Sequence, residues 1–139
     1  MKYIFAIVFI LLFSGCEVFV FGTKRTYEPE PTRETSVGTV YLFKAELDSI
    51  NARAAAGLLV RPTGDPILAL ERYEMEDDIA RMGRILYGMP ITRVKTDTLT
   101  ANSHRLLCEF NYMKNISFSA IRIRNKWFIT DVQGLREEQ

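Results

Sequence analysis

His104 is the only histidine in the 139 residues, and Cys16 and Cys108 are the only cysteines. Acid–base or nucleophilic chemistry would have to be built from these, the carboxylates and the hydroxyl side chains. A structural metal site wants four Cys or His ligands at short, regular spacings, and this set does not supply them. The eight glycines are scattered, so no loop is rich enough in glycine to cradle a phosphate. No metal and no cofactor are therefore expected. Six acids against one base (Arg72) fall between Asp65 and Asp78, among them Glu74, Glu76, Asp77 and Asp78. At helical spacing that cluster reads as a solvated helix face.

Lys and Arg number 18 and Asp and Glu 17, so bulk charge gives no reason to expect nucleic-acid binding. Two cysteines cannot make a disulfide-rich scaffold, and the length is that of one domain. The apolar residues are unevenly spread. Lys2 is followed by an unbroken apolar run, Tyr3–Phe13, and then by Ser14-Gly15-Cys16. A positive charge, a short apolar run and small residues make up the anatomy of a secretory signal. Eleven residues fall short of the roughly 20 that span a bilayer as a helix.

On Ser14-Gly15-Cys16 and the run before it, the N-terminus resembles a bacterial lipoprotein signal. The resemblance implies cleavage before Cys16, lipidation of that cysteine and an anchor in the cell envelope without a spanning helix. An uncleaved anchor is favoured by Val18-Phe19-Val20-Phe21 and opposed by Glu17, a costly group at mid-membrane. Simple secretion is the third reading. Residues 16–36, with Glu28-Pro29-Glu30-Pro31, read as a flexible tether, 37–135 as the folded domain and 136–139 as a polar tail.

The elements follow from periodicity. Thr35 or Ser36 can cap a helix with Val37, Val40, Tyr41, Lys44 (through its stem) and Leu47 on one face. A second short helix is expected within Asp48–Val60. Asp65 with Pro66 predicts a third, Pro66 to Tyr87, burying Leu70, Tyr73, Ile79, Met82, Ile85 and Leu86, and stopped by Gly88 and Pro90. Strands follow, with turns expected at Ala101-Asn102-Ser103, Lys114-Asn115 and Asn125-Lys126. Those turns place Leu106, Cys108, Phe110, Tyr112, Ile121, Ile123, Phe128 and Val132 on one inner face. The fold class is α+β: N-terminal helices packed on a four-stranded antiparallel meander.

By element order and by its last hairpin, Phe118-Ser-Ala-Ile-Arg-Ile-Arg-Asn-Lys-Trp127-Phe-Ile-Thr-Asp-Val132, the domain resembles the nuclear transport factor two-like (cystatin-like) superfamily. The resemblance implies helices held in a bent, cone-like sheet, with an extra strand that Leu58–Arg61 alone could supply. Enzymes of that superfamily place an acid or an Asp–His pair inside the cone. Here Asp131 has outer-face parity and His104 sits at a strand start, so the two would not meet, and His104 reads as solvated.

Two candidate sites follow from the register. A pocket of mixed polarity would combine Thr96, Cys108, Tyr112, Ser117, Ser119 and Thr130, although the same residues serve as ordinary core filler. A basic outer face would carry Arg93, Lys95, Arg105, Arg122 and Arg124 with Phe118, Ile129 and an exposed Trp127, fit for a protein partner or an anionic polymer, or simply solvated. Arg105 and Arg124 would face each other there as an unfavourable like-charge pair. The resulting expectation is a lipid-anchored envelope protein with a non-catalytic ligand-binding or assembly domain. The alternatives are a cavity enzyme of the isomerase or dehydratase type and an uncleaved membrane-anchored accessory subunit.

Overall fold

The structure is a computed structural model that describes residues 28–134. The signal segment, Cys16, the first part of the tether and the 136–139 tail lie outside the described residues. Helices α1 (Ser36–Asp48), α2 (Ala52–Ala56) and α3 (Ala69–Leu86) precede strands β1 (Ile91–Thr100), β2 (Ser103–Phe110), β3 (Lys114–Ile123) and β4 (Lys126–Gln133). The strands form one antiparallel sheet in the order β1-β2-β3-β4. The α+β meander is thus present, with the helices on one side.

Helix α1 begins as its sequence dictates. The Thr35 hydroxyl accepts a hydrogen bond from the Gly38 amide at 2.9 Å, capping one of the free N–H groups of the first turn. Gly38 lets the preceding chain fold back on this turn, because a Cβ there would lie 2.8 Å from the Thr32 carbonyl. Val40, Phe43 and Leu47 are buried in the core, and buried Lys44 is paired with Asp48 one turn on. The chain is already held before the helix starts: the Thr32 amide donates to the Gly38 carbonyl and the Trp127 amide to the Arg33 carbonyl. Thr32 and Arg33, within the span expected to be tether, are thus tied to the domain through their backbone groups.

The second and third helices are shorter than their patterns predict. Asn51 caps α2, its side chain accepting from the Ala54 amide, and Gly57 closes it. Leu58–Val60 is extended instead of helical. The Ile129 amide donates to Leu58 and the Val60 amide to Ile129, so Leu59 forms a parallel bridge along the outer edge of β4. This is the segment singled out as the one able to supply an extra strand. The Asp65–Pro66 start of α3 is not realised. Gly64, at φ +90°, closes a turn in which the Arg61 amide donates to the Asp65 carbonyl, and Pro66 bridges Val60. The helix starts after Leu68, whose amide donates to Glu71. Glu71 also accepts from Arg61, and these bonds hold its carboxyl below the usual range. Ile79 and Leu86 are buried as expected, but Leu70 and Tyr73 project beyond the sheet and are about 70% exposed.

Register decides which side of each strand meets the helices. Thr96 faces Leu106 across β1–β2, and Leu106 faces Phe118 across β2–β3. In the last hairpin Arg122 faces Trp127 and Ile121 faces Phe128. The first turn lies at the expected place but is one residue shorter, Ala101-Asn102, and the last lies one residue earlier than expected, at Arg124-Asn125, both at positive φ. Over Arg93–Thr98 of β1 and Lys126–Ile129 of β4 the pairing slips by two positions, which leaves faces unchanged. The middle turn is different. It is a three-residue loop, Asn111-Tyr112-Met113, with positive φ at Asn111 and Tyr112. This is an odd displacement, and it turns β3 and β4 over relative to β2.

The inner face is consequently Leu106, Cys108, Phe110, Ile116, Phe118, Ala120, Trp127 and Ile129, all buried. Ile121, Ile123 and Phe128 lie on the outer side and Tyr112 is 80% exposed in the loop, correcting the expected inner set. A register irregularity after Ser119 returns Val132 to the inner side opposite Phe118 and leaves Asp131 opposite Ser119. The energetic reason is plain. The observed register buries Phe118, Trp127, Ile116 and Ile129, whereas the alternative would bury one ring, Phe128, with Ile121 and Ile123 and would put Ser117 and Ser119 in the core. A large apolar side chain is worth about 1.5–3 kcal/mol when buried.

Phe118→Ala should lower unfolding free energy by about 3–5 kcal/mol, the range for emptying a large buried ring site. Ile121→Ala, at a half-exposed outer position, should cost about 1 kcal/mol. Urea denaturation of both variants checks this; equal costs would reject the register.

Candidate functional site

The inner face ends in a polar corner where the start of α1 meets the starts of β2 and β4. Ser36, the first residue of α1 and 4% exposed, has its hydroxyl 2.7 Å from His104 Nδ1. His104 is half-buried on the inner side of β2, between Thr98 of β1 and Ala120 of β3. Its ring lies against the Trp127 indole, with centroids 4.3 Å apart and planes tilted by 33°. Arg122 faces Trp127 across β3–β4 and places its guanidinium 6.0 Å over the same indole. The Arg122 side chain donates to the Asn102 amide oxygen at 2.9 Å, and its backbone N–H to the Asn102 carbonyl at 2.8 Å.

A serine hydroxyl hydrogen-bonded to an imidazole is the beginning of a nucleophile–base pair. The rest of that machinery is absent among the described residues. No carboxylate is hydrogen-bonded to the other ring nitrogen, and the hydroxyl is enclosed by α1 and the sheet. The pair instead fastens the helix to the strand. A hydroxyl can donate or accept, so either imidazole tautomer satisfies it. His104 is therefore a helix–sheet tie rather than a solvated strand end, because the first turn of α1 comes down on it.

The structure disperses the candidate pocket. Cys108 lies fully buried in the core, and burial pushes its thiol pKa up to about 12. Ser117 and Ser119 are on the opposite face of the sheet, since the middle turn inverts β3. Tyr112 is in the exposed loop, Thr96 is exposed on β1, and the Thr130 hydroxyl donates to the Ser119 carbonyl. These six residues share no cavity.

The basic face is likewise broken up. Arg93, Lys95 and Arg105 are on the outer side as expected, but Arg93 faces Glu109 and Arg105 faces Asp97. Lys95 Nζ lies 3.6 Å from the same Asp97. Trp127 is buried, Arg122 is on the inner side and Arg124 is in the last turn, so the Arg105–Arg124 pair does not form. Near β4 the outer side is covered instead by the chain before α1, with the Arg33 guanidinium 3.9 Å over the Phe128 ring. That burial holds the Arg33 pKa below its ordinary value.

Sequence periodicity gave no sign of the clefts that open at the helices, two of them beside α3 and one between α1 and the start of β1. An apolar groove of about 430 Å³ runs between the end of α1 and α3, lined by Leu47, Ile50, Ala52, Ile79, Gly83 and Tyr87. A more polar cleft of about 620 Å³ lies between α3 and the end of β4, with Asp78, Arg81, Asp131 and Gln133 at its walls. Among the described residues no three His, Cys, Asp or Glu side chains gather closely enough to hold a metal ion.

Ser36→Ala should lower stability by about 1 kcal/mol, the net worth of one hydrogen bond. His104→Ala should cost about 2 kcal/mol, because it leaves a buried hydroxyl unpaired and uncovers Trp127. The double variant should cost less than the sum, as expected for partners in one contact; additive costs in urea titrations would refute the tie.

Cys108 generates a pH prediction. Above about pH 8.5 the unfolded thiol ionises while the folded one, raised to about 12, keeps its proton, so stability should fall as pH rises through this window. Cys108→Ala should flatten that part of the stability–pH curve. Native protein should also resist maleimide at Cys108 until it is unfolded.

Compared with protein-family models and with curated proteins, the chain matches none.

Proposed function

We propose that this protein is an exported, lipid-anchored component of a bacterial cell envelope, held through Cys16, whose α+β domain is a non-catalytic ligand-binding or assembly module. The reading of the anchor rests on Lys2, the Tyr3–Phe13 run and Ser14-Gly15-Cys16. No helix among the described residues is long and apolar enough to cross a membrane.

The observation that carries the non-catalytic reading is the packing of the inner sheet face. A cone-shaped enzyme of the isomerase or dehydratase type needs an open space there, bordered by a general acid or base. That space is taken by Phe43, Phe110, Phe118 and Ile129, each no more than 1% exposed. Asp131 lies on the far side opposite Ser119, and Glu109 on the far side opposite Arg93. The clefts beside α3 suit binding and offer no nucleophile–base pair.

Metabolic labelling with a radioactive or clickable fatty acid tests the anchor. The wild-type chain should take up label and fractionate with membranes, and Cys16→Ser should lose the label. An unlabelled wild type that stays in the membrane would favour an uncleaved anchor, and an unlabelled soluble one simple secretion.

A further inference from the structure

We infer that a second copy of this chain pairs with the free edge of the sheet, β1 against β1 in antiparallel fashion about a twofold axis at Thr96. The inference goes beyond the reading above and holds with or without lipidation.

The two edges of the sheet are treated differently. At β4 the Trp127 amide donates to Arg33, and Ile129 exchanges hydrogen bonds with Leu58 and Val60, so that edge is covered. At β1 no backbone hydrogen bond joins residues 91–100 to anything but β2 among the described residues. From Lys95 to Thr100 every residue is exposed. An edge of this length displaying alternate unpaired N–H and C=O groups is a template for another strand. Its register irregularities lie between Ile91 and Arg93 and between Thr98 and Thr100, leaving Arg93–Thr98 regular.

Charge complementarity selects the second copy and the register. About an axis at Thr96, Thr96 faces Thr96 of the other copy, Val94 faces Thr98, and Lys95 faces Asp97. The last pairing occurs twice by symmetry, and opposite charges directly across a ladder are favourable. Moving the axis to Lys95 would oppose two lysines, and moving it to Asp97 two aspartates. Lys95 and Asp97 already lie 3.6 Å apart on the outer side, so both are in place to reach across. One strand pair buries less than a standard interface, so the dimer belongs to the weak class that covalent trapping reads better than chromatography.

The test uses the full-length chain in the cells that produce it, oxidised with copper phenanthroline and resolved on non-reducing gels. Directly opposed strand residues have Cα atoms about 4.5–5.5 Å apart, within the span of a disulfide. Thr96→Cys should therefore convert to a dimer well above the wild-type background. Arg93→Cys would be about 20 Å from its counterpart and should not. Adding Lys95→Asp to Thr96→Cys opposes acid to acid and should reduce the dimer yield about tenfold, for two lost pairs replaced by repulsion. The further change Asp97→Lys, which exchanges the two charges, should restore it. Should Thr96→Cys fail to accumulate, the double variant Val94→Cys with Thr98→Cys reads the same register and keeps both charges. No dimer from either variant would overturn the inference. Equal trapping at residues 93 and 96, or a yield indifferent to charge reversal, would overturn it as well.

Discussion

The edge-to-face contact between Phe43 of α1 and Phe118 of β3, with centroids 6.1 Å apart, is the constraint on which the remaining architecture depends. Phe110 lies 6.5 Å from the same Phe118 ring, so three aromatic side chains from one helix and two strands meet at the centre of the inner face. Aromatic pairs in tilted or edge-on geometry add to the area they bury. Once Phe118 points inward, the two-residue alternation of β3 also brings Ile116 and Ala120 inward and sends Ser117, Ser119 and Ile121 out. Across the next ladder Trp127 and Ile129 follow. A single strand orientation therefore places four of the largest buried groups.

The polar features are consequences of that choice. Trp127, turned inward, makes a platform for His104, and His104 receives the Ser36 hydroxyl from the start of α1. Had β3 and β4 faced the other way, Trp127 would be an exposed anchor on a basic surface and His104 would have no aromatic neighbour. Arg122, one position past the apolar run of β3, closes the same corner through Asn102. Across the β1–β2 ladder the outer bases Arg93 and Arg105 each face an acid, Glu109 and Asp97, which leaves little net charge near the free edge.

Much of the helical layer was legible from residue types. Thr35 before an apolar period gives the start of α1, and the alanine-rich run before Gly57 gives α2. Leu58–Val60 was less legible: an alanine-rich run continues the helical pattern into it, yet its backbone finds partners on β4 that a free helix end would lack. The Asp65–Pro66 signal misleads for a related reason, since the backbone there closes a turn onto Val60. The cluster of Ser36, Asn102, His104, Arg122 and Trp127 could not be assembled from spacing. It needs the correct face of three strands and the landing point of a helix at once.

The sequence by itself determined the element order, the four-stranded meander and the inward side of β2, because local periodicity and turn-forming residues suffice for those. Only tertiary structure decided which side of β3 is inside. Apolar residues occupy both faces of that strand, Ile116 and Phe118 on one and Ile121 and Ile123 on the other. Alternation alone leaves the two nearly balanced. The three-residue loop at Asn111–Met113 and the room beneath α1 break the balance in favour of the larger rings. With that one decision the candidate pocket dispersed, the basic face lost its tryptophan, and the lone histidine acquired its partners.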